Sequence, residues 1–179
     1  MFRSIPTINT TRLALRGMRS EDFERYAEIW AMPDVVRSVT GDVRSRHRAW
    51  ESFLRNAGHW QMTGFGQWAV IEQHSRRMIG QVGFFFSTDS LADDLDEYPQ
   101  AGWLLVPQAQ GNGYALEAAR GAHEWFDRVY PNKLIARISP DNPNSLKLAE
   151  RLGYKEIRQV GDGNDASVIL KRDGPPGIR

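Results

Sequence analysis

Ala101-Gly102-Trp103-Leu104-Leu105-Val106-Pro107 and, just beyond it, Gln110-Gly111-Asn112-Gly113-Tyr114-Ala115 decide the fold of this chain of 179 residues. The first stretch is short, apolar and ended by proline, as a buried strand is. After the second, Ala115, Ala118, Ala119, Ala122, Phe126 and Val129 recur at helical spacing, so a helix opens at or just after Gly113. The glycines at 111 and 113 let backbone N–H groups point outward with no side chain in the way. Together with the positive end of the helix dipole, these amides form a cradle for a pyrophosphate. A ligand-free glycine-rich connection has the same local composition, so the rest of the chain must decide between the two.

The usual nucleotide signatures are missing. No Lys-Ser or Lys-Thr follows Gly113, as a P-loop requires, and the third glycine and distant acidic residue of a dinucleotide turn are absent. Lys+Arg (23) and Asp+Glu (22) nearly cancel, which argues against general nucleic-acid binding or an anionic membrane surface. No apolar run approaches the roughly 20 residues that span a bilayer. Met1-Phe2-Arg3-Ser4-Ile5-Pro6 lacks the apolar region of a signal peptide. A cytoplasmic protein with no membrane partner is therefore expected. Cysteine is absent, which excludes a disulfide framework, a thiolate metal site and a cysteinyl acyl-enzyme. His47, His59, His74 and His123 show no metal-ligand spacing and read as structural or surface residues, with no metal site expected.

Working outward, Thr10 to Arg16 alternates like a half-buried first strand. Ser20 can cap a helix carrying Phe23, Tyr26, Ala27 and Trp30, and a second helix runs through Arg48, Trp50, Phe53 and Leu54. Gly66–Glu72 and Met78–Phe86 read as two strands of a hairpin turning at 73–77. Ser87 to Pro99 is an acidic, irregular loop. After the long helix, Lys133–Ser139 supplies a strand and Asn142–Leu152 a short helix, opened by Pro143 and ended by Gly153. Ile157–Val160 and Ser167–Lys171 close the chain as a strand pair. The expected fold class is α+β: one domain over residues 1–173 with a mixed, mostly antiparallel central sheet flanked by helices, and a disordered tail over 174–179.

Cradle and element order together resemble the GNAT acetyltransferases, whose acyl-CoA loop is written Q/R-x-x-G-x-G/A. Two registers fit, Gln108-x-x-Gly111-x-Gly113 and Gln110-x-x-Gly113-x-Ala115. The second keeps the family's spacing from Pro107, and both place the same amides in the cradle. Thr11-Arg12-Leu13-Ala14-Leu15-Arg16, Ile79-Gly80-Gln81-Val82-Gly83, Gly113-Tyr114-Ala115-Leu116-Glu117-Ala118 and Asn142-Pro143-Asn144-Ser145 resemble the branch containing the ribosomal-protein alanine N-acetyltransferases. These matches span residues about 10 to 171 in the family's order.

The resemblance implies a GNAT fold with a V-shaped split between the central strands, acetyl-CoA as co-substrate and an amine acceptor: a protein N-terminus or a small molecule. It is also compatible with a homodimer. In this reading the pantetheine arm pairs with backbone near Leu105 and the pyrophosphate lies on the amides from Gln110 to Ala115, including Gly111, Asn112, Gly113 and Tyr114. Asn142 donates to the pantetheine arm, or serves only as a helix N-cap. Ser145 lies near the thioester sulfur, or is an ordinary first-turn serine. Trp30, Trp50 and Trp60 fall where the family shapes its acceptor pocket, although core packing accounts for them better.

Attack on a thioester needs a neutral amine, an oxyanion donor and a tolerable leaving group. An α-amino group near pKa 7.7–8.0 is partly neutral at physiological pH, and a thiolate of pKa about 8.5 departs without full protonation. Two family positions differ here. The tyrosine acid that many members carry is replaced by Ala149, and the strand position often holding glutamate is Gln100. Glu97 is the nearest carboxylate and the candidate base, unless it is a solvated loop residue; Asp93, Asp94 and Asp96 either draw a cationic acceptor or are merely exposed. Loss of both groups leaves a second reading open, a CoA-binding regulatory or interaction module with impaired catalysis.

Overall fold

The computed structural model describes residues 4–37, 39, 41–87 and 94–175. Asp93 and residues 176–179 of the expected tail lie outside these; of that tail, Gly174 sits against Asn132. Eight strands form one sheet in the order β1-β2-β3-β4-β5-β6-β8-β7. They are β1 (Ile8–Asn9), β2 (Leu13–Arg16), β3 (Gln67–Glu72), β4 (Met78–Phe85), β5 (Gln100–Leu105), β6 (Leu134–Ile138), β7 (Lys155–Val160) and β8 (Ser167–Arg172). Every neighbouring pair is antiparallel except β5 and β6. The mixed, mostly antiparallel sheet is the one expected. The first strand is shorter than the alternation from Thr10 suggested, because the chain turns at 10–12 to pair Ile8–Asn9 with Ala14–Leu15.

Among the described residues five helices flank the sheet: α1 (Phe23–Trp30), α2 (Pro33–Val36), α3 (Arg46–Thr63), α4 (Tyr114–Val129) and α5 (Pro143–Arg151). The α1 start corrects one expectation. Ser20 does not cap it; residues 20–22 form a 3-10 turn, and the Asp22 carboxylate accepts from the Arg19 amide at 2.7 Å. The same carboxylate takes Arg16 bidentately at 2.6 and 2.8 Å. Burial raises the Asp22 pKa, but Arg16 and the Arg19 amide outweigh it and hold the carboxyl below its ordinary value. Longer reach and charge make Asp22 the better partner for that turn.

α4 lays Ala118, Ala119, Ala122 and Phe126 on the sheet, all buried. Three alanines in that stripe allow close approach, and the space is filled from the strand side by Trp68 and Phe84, both fully buried. The Phe84 ring lies 4.3 Å from Phe126, and Trp68 meets Trp125 and Trp60 edge-on. Trp30 and Trp60 are core residues, whereas Trp50 is exposed. Opposite α4, the second face carries α1 and α3, joined to β3 and β4 by the buried amides Asn56 and Gln81.

His123 is the one buried histidine of the described residues. Its Nδ1 meets the Ala119 carbonyl at 2.7 Å, so Nδ1 carries the proton and Nε2 accepts from the Tyr154 hydroxyl at 2.8 Å. Burial pushes the His123 pKa down to about 4. Because the folded value lies below the unfolded value near 6.5, stability is full above pH 6.5 and falls as pH drops toward 4, by on the order of 3 kcal/mol. Denaturant midpoints measured from pH 7 to 4 should show that slope, and His123→Gln, which can still accept from Tyr154, should flatten it. An unchanged slope in the variant would assign the acid sensitivity elsewhere.

Candidate functional site

β5 and β6 run parallel but share only one register pair, Gln100 with Ile135, backed by the Ile135 amide on the Pro99 carbonyl at 3.0 Å. Beyond Gln100 they part, giving the V-shaped opening. On its other edge β5 stays fully paired to β4 through Leu105 opposite Gly80. Gly80 has to be glycine: a Cβ there would run into the Leu104 carbonyl oxygen.

At the wide end of the split the chain turns through a short 3-10 segment, Pro107–Ala109, into the glycine loop. Gly111 and Gly113 both have φ of +76°, the left-handed region that a Cβ disfavours. Gly113 is the N-cap of α4, and no side chain caps the helix. A Cβ on Gly111 would meet nothing within 4 Å, so this side of the loop stands open. An uncapped sixteen-residue helix approached by two glycines fits an anionic pyrophosphate.

Arg12 fixes this loop, and sequence reading did not single it out. From the turn before β2 its Nη1 donates to the Asn112 carbonyl at 2.9 Å, its Nε and Nη2 hold Glu117 at 2.7 Å, and its guanidinium stacks 4.3 Å from the Tyr114 ring centroid. Glu117 also accepts from Thr10 Oγ1 and the Arg12 amide. Burial raises the Glu117 pKa, but these donors prevail and keep it below its ordinary value. The Tyr114 hydroxyl donates to Glu72 at 2.8 Å, which makes Tyr114 a strut between loop and hairpin. Arg25, Glu72, Arg77, Gln108, Asn112 and Tyr114 line an open cleft of about 490 Å³ beside the loop.

The other singled-out residues fall into three places. Gln110 folds back so that Nε2 donates to the Leu105 carbonyl at 3.1 Å, bringing two cofactor candidates together at the mouth of the split. Asn142 caps α5, its Oδ1 accepting from the Ser145 amide at 3.1 Å, which leaves both hydrogens of its Nδ2 for another partner. Ser145 Oγ accepts from the Trp103 indole at 3.3 Å, a bond that bridges the split from β5 to α5. Glu97 is exposed and lies beside Tyr98, raising that hydroxyl's pKa; among the described residues no contact joins it to Ser145 or the glycine loop. Asp94 is held by Arg158 of β7 at 2.6 Å. Ala149 is fully buried, with its carbonyl taking the Tyr154 amide. No group of three His, Cys, Asp or Glu among the described residues is placed to hold a metal, and no described helix is long and apolar enough to cross a membrane.

Comparison with known proteins agrees with this geometry. The family model for the acetyltransferase (GNAT) domain matches residues 12–155. The N-acetyltransferase p20 of Bacillus licheniformis is 23% identical over 166 residues, 92% of this chain and 90% of its own. A solved acetyltransferase from Agrobacterium tumefaciens is 28% identical and superimposes with a TM-score of 0.78 over 96% of both chains. The ribosomal-protein alanine acetyltransferase of Vibrio fischeri, 15% identical, shares the fold with a TM-score of 0.77 over 96% of this chain and 98% of its own. The fold, the parted central strands and the family model together establish that the chain belongs to the GNAT acetyltransferase family and is an acyltransferase.

Proposed function

We propose that this protein transfers an acetyl group directly from acetyl-CoA to a primary amine held in the same complex. The observation that carries this reading is the uncapped start of α4, reached through two left-handed glycines at the point where β5 and β6 part. In this reading the amides from Gln110 to Ala115 hold the pyrophosphate, and Arg12 keeps the loop in shape and adds positive charge behind it. The backbone of β5 near Leu105, released by Gln110, and Nδ2 of Asn142 hold the pantetheine arm. The bound co-substrate supplies the activated thioester.

Residues of the chain then serve the transfer. Because Ser145 Oγ accepts from Trp103, its own hydrogen is directed elsewhere, and a thiolate leaving at that position would accept it as a hydrogen bond, the serine keeping its proton. A backbone N–H of β5 is the expected oxyanion donor. Glu97 is the proposed base, acting through water from its exposed position. With no cysteine in the chain, a cysteinyl acyl-enzyme has no place in the path. The acceptor is a protein N-terminus or a small-molecule amine, and mass spectrometry of an amine panel with labelled acetyl-CoA identifies it.

Gly113→Asp tests the cradle. The φ of +76° strains any side chain, and a carboxylate there would oppose the pyrophosphate and draw on Arg12, whose Nη2 lies 3.5 Å from the added Cβ. Calorimetry should show CoA affinity down about tenfold or more, roughly 1.4 kcal/mol, with the fold retained by circular dichroism. Unchanged affinity would move the pyrophosphate elsewhere.

For the chemistry, Ser145→Ala should lower kcat about tenfold and Glu97→Gln by a comparable or larger factor, with little change in the KM for acetyl-CoA. A wild-type kcat in either variant removes that residue from the mechanism.

A further inference from the structure

Arg16 and Arg172, the two arginines most withdrawn from water among the described ion pairs, each hold a carboxylate bidentately, Asp22 and Asp127. Arg44 is partly buried as well but is in no ion pair among the described residues. Its guanidinium lies 3.4 Å from the centroid of the Trp30 ring, and Nη1 donates to Ser52 Oγ at 2.8 Å. Its backbone amide is tied to the Trp30 carbonyl at 3.0 Å, so the group is held in place at both ends. Burial lowers the Arg44 pKa most; the Tyr26 hydroxyl works against this, and Arg55, one turn beyond Ser52 on α3, adds to the lowering as a second cation. It stays charged, since arginine does not deprotonate in proteins. A fixed, partly buried guanidinium with no counter-ion among the described residues is an anion-binding group.

Its position ties it to the split. Trp30 Nε1 donates to Gln81 Oε1 at 3.3 Å, and Gln81 Nε2 donates to Gln67 Oε1 at 2.9 Å. An indole N–H can only donate, so it fixes the direction of both amides. Gln67 Nε2 is left facing β5, 3.3 Å from where a Cβ on Gly102 would stand. Gln67 Nε2 therefore offers a hydrogen-bond donor beside Gly102, at one end of a bonded row whose other end is Trp30, the ring under Arg44. A substrate lying there needs to present acceptors.

We propose that Arg44 binds a carboxylate carried by the amine acceptor, so that the enzyme selects amino-acid-like or peptide-like amines bearing an anionic group and discriminates against polycations. Arg–carboxylate pairing supplies the selection, and the second cation at Arg55 repels polyamines. The proposal rests on the N-acetyltransferase reading.

The test uses the full-length protein loaded with CoA or acetyl-CoA. Short peptides ending in a carboxylate, the same peptides amidated, and spermidine are compared as acceptors by thiol release. In parallel, the Arg44 Nε–H resonance, identified by its loss in Arg44→Gln, is followed by NMR as each compound is added. The wild type should prefer the carboxylate peptides about tenfold in kcat/KM. Arg44→Gln should bring them to parity with the amides, whose rate stays within about twofold, and Arg44→Lys should restore part of the preference. A purely structural arginine would lower both alike. If the resonance moves only with carboxylate peptides while nothing is acetylated, recognition stands and the transfer reading fails. If neither preference nor selective shift is seen, or if Arg44→Gln slows both peptide classes equally, the proposal is overturned.

Discussion

The parting of β5 from β6 after a single register pair is the constraint on which the rest of the structure depends. In a continuous sheet the edge of β5 would be consumed by its neighbour's hydrogen bonds. Here it is released beyond Gln100, while β6, β8 and β7 continue as a separate antiparallel set. Releasing a strand edge inside a sheet leaves backbone polar groups that must find partners. Gln110 takes the Leu105 carbonyl, and Trp103 crosses to Ser145 by its side chain. Both crossings come from the residues that flank the gap, so the opening is held from its own walls.

The two faces of β5 are built differently. Toward α4 the strand presents Ala101 and Trp103, alongside Phe84, Phe126 and Tyr154, an apolar and aromatic packing that positions the helix opened by the glycine loop. Toward α1 and α3 it presents Gly102, above a row of oriented side-chain amides. Buried amides are tolerated there because each has a partner; no described buried side-chain N or O lacks one. Rigid packing on one face and satisfied polarity on the other hold the strand in place while its edge toward β6 stays open.

Much of this was legible in the sequence, and the reason is local. The strand, proline, glycine pair and alanine-striped helix follow one another within 29 residues, from Ala101 to Val129, and each signal has its own period or backbone demand. Elements too short to show a period, β1 and α2, were not foreseen. The supports of the site were hidden for another reason. Arg12 reaches Glu117 across 105 positions and Trp103 reaches Ser145 across 42, and no spacing rule connects residues so far apart. Arg44 reads in sequence as one more surface arginine; its place over Trp30 and against Ser52 appears only in the fold. Glu97 stands out in sequence by its nearness to β5, and in the fold it is exposed beside Tyr98.

Arg12 has a consequence for the order in which the molecule assembles. The glycine loop is braced by a residue made about a hundred positions earlier, through the Asn112 carbonyl and Glu117. Contacts of such sequence separation close late, because a long loop of chain must be ordered before they repay its entropy. During synthesis the first hairpin must therefore wait, unpaired with its helix, until α4 has emerged. The bracing of the glycine loop is thus a late step of the fold, and a chain trapped short of it would be largely folded with that loop left unbraced.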